Sequence, residues 1–131
     1  MIVVDASAIA DLLLQTPRLA DRVAAELRAD GFPQTLDLAD IEVVSVLRRK
    51  ARRGELGTPR AEEALDDLAS LPVRRHHASP LRHRIWELRD SLSPYDAAYV
   101  ALAEALAAPL LTTDARLARA EGHRAGIVAV A

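Results

Sequence analysis

The sequence predicts a single three-layer α/β domain, residues 1–131, with a mainly parallel central sheet. Three observations predict it. Residues 2–4 and 109–112 are short apolar runs without alternation, the pattern of strands buried on both faces. Helical patterns separate one strand candidate from the next along the whole chain, the order that builds parallel sheets. No long linker, repeat or low-complexity segment interrupts them, and 131 residues is the size of one domain.

The elements follow in order. Residues 2–4 form the first strand, and Ser7 is placed to cap a helix over residues 8–14. Pro17 opens a second helical stretch to residue 30, with Leu19, Val23, Ala24 and Leu27 on one face. Gly31 stops it, and residues 32–35 form a short strand. From 38 to 53 the pattern is helical again, with Ile41, Val44, Ser45, Leu47 and Arg48 at helical intervals, and Gly54 and Gly57 end it. Thr58-Pro59 starts the next helix, whose apolar stripe is Ala61, Ala64, Leu65 and Leu68. Residues 72–74 are a candidate strand, and 80–88 a helix that aligns Leu81, Ile85 and Leu88. Ser93-Pro94-Tyr95-Asp96 launches an apolar helix over 97–107. Residues 109–112 are a buried strand, 114–121 a short helix and 126–130 the last strand.

Composition narrows the function. Hydrophobic residues make up 50% and charged residues 27%, ordinary for a globular protein, but aromatics are only 3%, so the core must be aliphatic. Folds that stack bases on aromatic platforms are disfavoured for the same reason. There is no cysteine, which excludes disulfides, thiolate zinc sites and cysteine nucleophiles. No basic segment precedes the first apolar run and no apolar stretch approaches the roughly 18 residues that span a membrane. The expectation is a soluble, cytoplasmic protein without a membrane partner. A net charge of −2 gives no bulk attraction to nucleic acid, so any such contact must come from local patches.

Four acids stand where a parallel sheet would gather them. Asp5 follows the first strand, Glu42 lies in the first turns of the third helix, Asp96 begins the alanine-rich helix, and Asp114 follows Leu110 to Thr113. Ligand sites in such sheets lie beyond the carboxyl ends of the strands. Two like charges about 4 Å apart repel by roughly 1 kcal/mol in water and about 4 kcal/mol at a protein-surface dielectric. A hard divalent cation, Mg²⁺ or Mn²⁺, removes that repulsion and prefers oxygen ligands. Each acid also has a purely structural reading: Asp5 and Asp114 as caps or loop residues, Glu42 at a helix dipole, and Asp96 within a capping box.

The residues around these acids resemble the PIN-domain superfamily, specifically VapC-type toxins. Met1 to Ala8 (MIVVDASA) is similar to the family's opening motif, Ile41 to Arg49 (IEVVSVLRR) to its second, Leu92 to Ala103 (LSPYDAAYVALA) to its third and Leu111 to Ala118 (LTTDARLA) to its fourth. The resemblance covers essentially the whole chain, in the family's order and spacing. It implies a PIN-like α/β/α sandwich and a Mg²⁺- or Mn²⁺-dependent endoribonuclease. Asp5, Glu42, Asp96 and Asp114 would be its catalytic and metal-binding acids, and Ser7 and Thr112 their polar neighbours. It further implies a homodimer and a small antitoxin whose C-terminal tail covers the acids. One departure stands out: where some members carry a further acid after the fourth aspartate, this chain has Arg116 and Leu117.

The densest basic run, Arg48 to Arg53, shares a helix with Glu42 and makes Arg49, Arg52 and Arg53 candidates for RNA contact, the alternative being a solvated helix end. The residues Arg74-Arg75-His76-His77 have no zinc-like spacing and read as surface. Trp86 reads as core or interface. Tyr95, Tyr99 and Leu102 read either as a face for a partner subunit or as this chain's own core. Alternative functions are a PIN nuclease of RNA maturation or one acting on flap DNA, and a non-catalytic acidic-pocket module such as a response-regulator-like domain. That module needs a lysine on a late strand, and the only lysine is Lys50, inside a helix.

Overall fold

Every strand pairing in the computed structural model, which describes residues 1–130, is parallel. The strands are β1 (Ile2–Val4), β2 (Pro33–Leu36), β3 (Arg74–His76), β4 (Leu110–Thr112) and β5 (Ile127–Ala129), in the sheet order β3-β2-β1-β4-β5. The aliphatic sequence of β1 puts it in the middle, where Val3 and Val4 are wholly buried, as are Leu110 and Leu111 of β4. Each such side chain contributes about 1.5–3 kcal/mol on leaving water.

The helices are α1 (Ala6–Leu13), α2 (Leu19–Asp30), α3 (Ala39–Arg52), α4 (Thr58–Ser70), α5 (Arg82–Glu87), α6 (Pro94–Leu106) and α7 (Ala115–Ala118). Helices α1 to α4 pack on one another, and α5 packs on α6, which crosses β1, β2 and β4. This is the expected α/β/α arrangement. From β1 the chain moves outward through β2 to β3, and later returns on the other side of β1 as β4 and β5. The order reverses at β1 and β4, so a crevice opens beyond their carboxyl ends. Register sets its floor: Val4 lies opposite Leu111, and the Asp5 amide donates to the Leu111 carbonyl at 3.2 Å.

Several local expectations are corrected. Ser7 does not cap α1; Asp5 does, its Oδ1 accepting the Ala8 N–H at 2.9 Å. Helix α2 begins at Leu19, because Arg18 at φ 68° lies outside the helical region, while Gly31 ends it at φ 79°, a conformation glycine adopts without strain. In α3 the core-facing residues are Ala39, Val43 and Leu47, four apart, and Ile41 and Val44 face solvent. Leu65 of α4 is likewise exposed. Strand β3 starts two residues late, at Arg74: Pro72 has no N–H for a ladder. Residues 79–87 form a 3₁₀ turn and then α5, and Trp86 lies on the surface, 65% exposed, with the Arg89 guanidinium 4.3 Å over its ring. Tyr99 and Leu102 are buried in this chain's own core and form no subunit face, whereas Tyr95 is exposed.

Candidate active site

Three structural devices bring Asp5, Asp96 and Asp114 to one cleft, and the first turn of α3 carries Glu42 to it. Asp5 is fixed by the end of β1 and by its capping bond to α1, and Ser7 Oγ donates to the same Oδ1 at 2.7 Å. Ser7 Oγ also lies 3.2 Å from Thr112 Oγ1, so the ends of β1 and β4 are joined by hydroxyls beneath Asp5. Asp96 is set by the start of α6, where Ser93 Oγ accepts its amide N–H at 3.2 Å and Pro94 supplies the first helical residue. Asp114 is held beyond β4 by the Thr112 hydroxyl, which accepts its amide N–H at 3.0 Å. Thr113, between them, donates its hydroxyl to Asp11 Oδ2 of α1 at 2.7 Å, which ties the β4 end to the first helix.

The resulting cleft, about 280 Å³, is lined by Asp5, Ser7, Glu42, Asp96 and Asp114, together with Tyr99, Arg49 and Arg116. All four predicted acids and Ser7 are there. Thr112 is fully buried just below and acts through Ser7 and Asp114. Of the three arginines named from the basic run, only Arg49 reaches the cleft. Two helical turns separate it from Glu42, about 10 Å along the axis and on the same face.

The electrostatics divide the acids into three and one. Burial pushes the Asp5 carboxyl up to about 6, against the lowering effect of its Thr112, Ala8 and Ser7 hydrogen bonds. Burial also raises Glu42 above the usual carboxylate range, with the charges of Asp5 and Asp96 adding to it. Asp96 is raised by burial and by the Asp114 charge. Asp114 is lowered instead, because the Arg116 side chain hydrogen-bonds to it. Of the four, Asp114 alone makes an ion pair among the described residues.

Tyr99 and Arg116 are the residues that sequence reasoning did not place in the site. The Tyr99 hydroxyl donates to Glu42 Oε1 at 2.8 Å, and burial beside that carboxylate raises the phenol well above its ordinary range. The signal was its spacing: Tyr99 is three residues after Asp96 and so shares its helix face. Arg116 grips Asp114 with Nε and Nη2, the latter at 2.7 Å from Oδ2.

Asp5, Glu42 and Asp96 are an oxygen-only donor set whose carboxylates repel one another and make no salt bridge among the described residues, which fits a hard divalent cation. No three histidines or acids among the described residues form a ready-made metal cage as the side chains stand.

The PIN domain family model matches residues 2–122. The chain is similar to Ribonuclease VapC12 of Mycobacterium tuberculosis, 40% identical over 131 residues and covering 100% of both chains. It is 45% identical to Ribonuclease VapC9 of the same organism over 117 residues, 89% of this chain and 88% of that one. Its fold is similar to that of PAE2754 from Pyrobaculum aerophilum, with a TM-score of 0.72, 24% identity and coverage of 96% and 81%. A second solved fold, that of Mycobacterium tuberculosis VapC20, a toxin that cleaves the sarcin-ricin loop, matches with a TM-score of 0.67 at 21% identity, covering 91% and 94%.

Proposed function

This chain belongs to the PIN domain family, and on that premise we propose that it is a metal-dependent endoribonuclease acting as the toxin of a toxin–antitoxin pair. The observation that carries the reading is the cleft at the β1/β4 crevice, where three carboxylates that make no salt bridge among the described residues face one another. The relatives named as ribonucleases, matched over 100% and 88% of their lengths, support it.

In this reading Asp5, Glu42 and Asp96 hold a Mg²⁺ or Mn²⁺ ion, with Asp114 closing the acidic set at the rim. When bound, such an ion lowers the pKa of water and neutralises charge on a phosphodiester. The chain's own residues supply the rest. Ser7 and the Ala8 amide hold Asp5 Oδ1 in place. Tyr99 fixes the orientation of Glu42. Arg49, at the cleft wall, attracts the RNA backbone that the acids would repel, and Arg52 and Arg53 extend that attraction toward neighbouring phosphates.

The partners in this reading are RNA, a second copy of the chain, and an antitoxin whose C-terminal tail covers the acids. A basic side chain on that tail would compete with the cation, so inhibition should weaken as Mg²⁺ is raised. The biological role is tested by induced expression in a bacterial host. Wild type should arrest growth and Asp5→Asn should not; equal growth of the two would instead mark a maturation nuclease or a binding module.

A further inference from the structure

Resting on the nuclease reading, the geometry points to Arg116 as the second cation of this site: a guanidinium, held in place by Asp114, that contacts the phosphate under attack where a second metal ion would otherwise stand. Asp114 then serves the reaction through Arg116 rather than as an ion ligand.

The hydrogen bonding leads to this assignment. Asp114 Oδ1 accepts the Arg116 backbone N–H at 3.0 Å and Nε at 3.1 Å, and Oδ2 accepts Nη2 at 2.7 Å and Nε at 3.2 Å. Both oxygens are therefore engaged by one residue. The other three acids make no ion pair among the described residues. A divalent ion gains most among those three and least at Asp114, where it would first have to displace an arginine.

The guanidinium is not used up by this grip. It has five N–H donors in a fixed fork. Asp114 takes the Nε–H and one from Nη2, which leaves three. The side chain is 80% exposed and lines the same cleft as Asp5, Glu42 and Asp96. Those donors can reach a phosphate without breaking the pair, and the bidentate hold limits the freedom that a long surface arginine otherwise has.

The chemistry has a place for such a group. In hydrolysis a water oxygen bonds to phosphorus while one P–O bond to ribose breaks. The water gives up a proton and the departing oxygen acquires one. Negative charge builds on the phosphate and departing oxygens before that proton arrives. Two-metal sites stabilise the attacking and leaving oxygens with one ion each, and in phosphoryl transfer an arginine stabilises transition-state charge beside a bound Mg²⁺.

The test combines Mn²⁺ titration of the full chain, followed by electron paramagnetic resonance, with RNA cleavage kinetics. Wild type should bind one Mn²⁺, and Asp114→Asn should still bind one with an affinity within about threefold, because no ion ligand is lost; losing a ligand or a group that supports one costs about 10–100-fold. Arg116→Ala should lose about 100-fold in kcat, the usual loss for one charge-stabilising donor, with KM changed far less. Arg116→Lys should recover part of that loss, which loss of a merely structural contact would not allow. A wild type that binds two ions, an Asp114→Asn variant that loses its ion, or an Arg116→Ala variant that cleaves like wild type overturns the inference and leaves the nuclease reading standing. A wild type that neither binds Mn²⁺ nor cuts RNA overturns both.

Discussion

At the scale of single residues, Asp5 carries two opposed duties. It caps α1, which stabilises the fold, and it is a buried carboxylate pushed up to about 6, which destabilises it when ionised. The folded chain therefore binds this proton more tightly than the unfolded chain, whose carboxyl titrates near 3.8. Stability contributed by the protonated form is present below about 3.8 and is lost as pH rises through about 6. A displacement of that size corresponds to about 3 kcal/mol. Asn caps a helix as well as Asp does. In EDTA, Asp5→Asn should thus be more stable than wild type at pH 8 and nearly equal to it at pH 3.5, measured by urea unfolding. Greater stability of the wild type at pH 8 would show that Asp5 is mainly a cap. Tyr99→Phe makes the complementary case: it should lose about 1 kcal/mol or less by thermal melting, since one partly solvated hydrogen bond is removed, but should slow cleavage because Glu42 is no longer oriented. The placement of the four acids was legible in the sequence because strand ends and helix starts mark them, whereas Ser7 and Thr112 entered the site only through the family resemblance. Tyr99 was not legible there, because an aromatic in an apolar helix reads first as core, and here it is core at one end and a site residue at its hydroxyl.

At the scale of elements, α3 shows how one helix serves both core and cleft. Ala39, Val43 and Leu47 face inward, while Glu42, Ser45, Val46 and Arg49 line the cleft. The sequence showed a helix with the right bounds but not its rotation, since Ile41 and Val44 are as apolar as the residues that are buried. Hydrophobicity alone does not choose between two aliphatic stripes, and the one that is buried is Ala39, Val43 and Leu47. The rotation divides the basic run as well. Arg49→Ala should weaken RNA binding and flatten its salt dependence by nearly one phosphate contact, and Arg52→Ala should do so less, measured as log Kd against log salt concentration. Equal effects of the two would place the RNA along the end of α3 rather than at the cleft. The short elements were the hardest to read. Strand β3 has the sequence Arg-Arg-His; it pairs with β2 through the backbone ladder, and side-chain ties are added to it: His76 Nε2 lies 2.6 Å from Gln34 Oε1, and Arg75 pairs with Asp40 at 3.0 Å. No hydrophobic alternation announces such an edge strand.

At the scale of the whole molecule, a parallel sheet that reverses its order at β1 and β4 makes one place where residues 5, 42, 96 and 114 can meet. The order of strands and helices was readable because the central strands β1 and β4 are aliphatic runs, while β2, with buried Gln34 and Thr35, carries no such signal, and the parallel pairing follows from the helices between them. Gathering the acids stores repulsion in the metal-free fold, and a bound cation should release it. Mn²⁺ at about 100 times its Kd should stabilise the wild type by about 2.7 kcal/mol, seen as a raised melting temperature, and should leave Asp96→Asn nearly unmoved. The central claim, that this cleft cuts RNA with a metal ion held by its acids, is tested most directly by one cleavage assay: purified chain and RNA with Mg²⁺ or Mn²⁺, with EDTA, and with metal restored, run beside Asp5→Asn and Asp96→Asn. The account predicts cleavage by the wild type with metal, none in EDTA, recovery when metal is returned, and none by either variant. Cleavage that persists in EDTA, or that survives both substitutions, would contradict it.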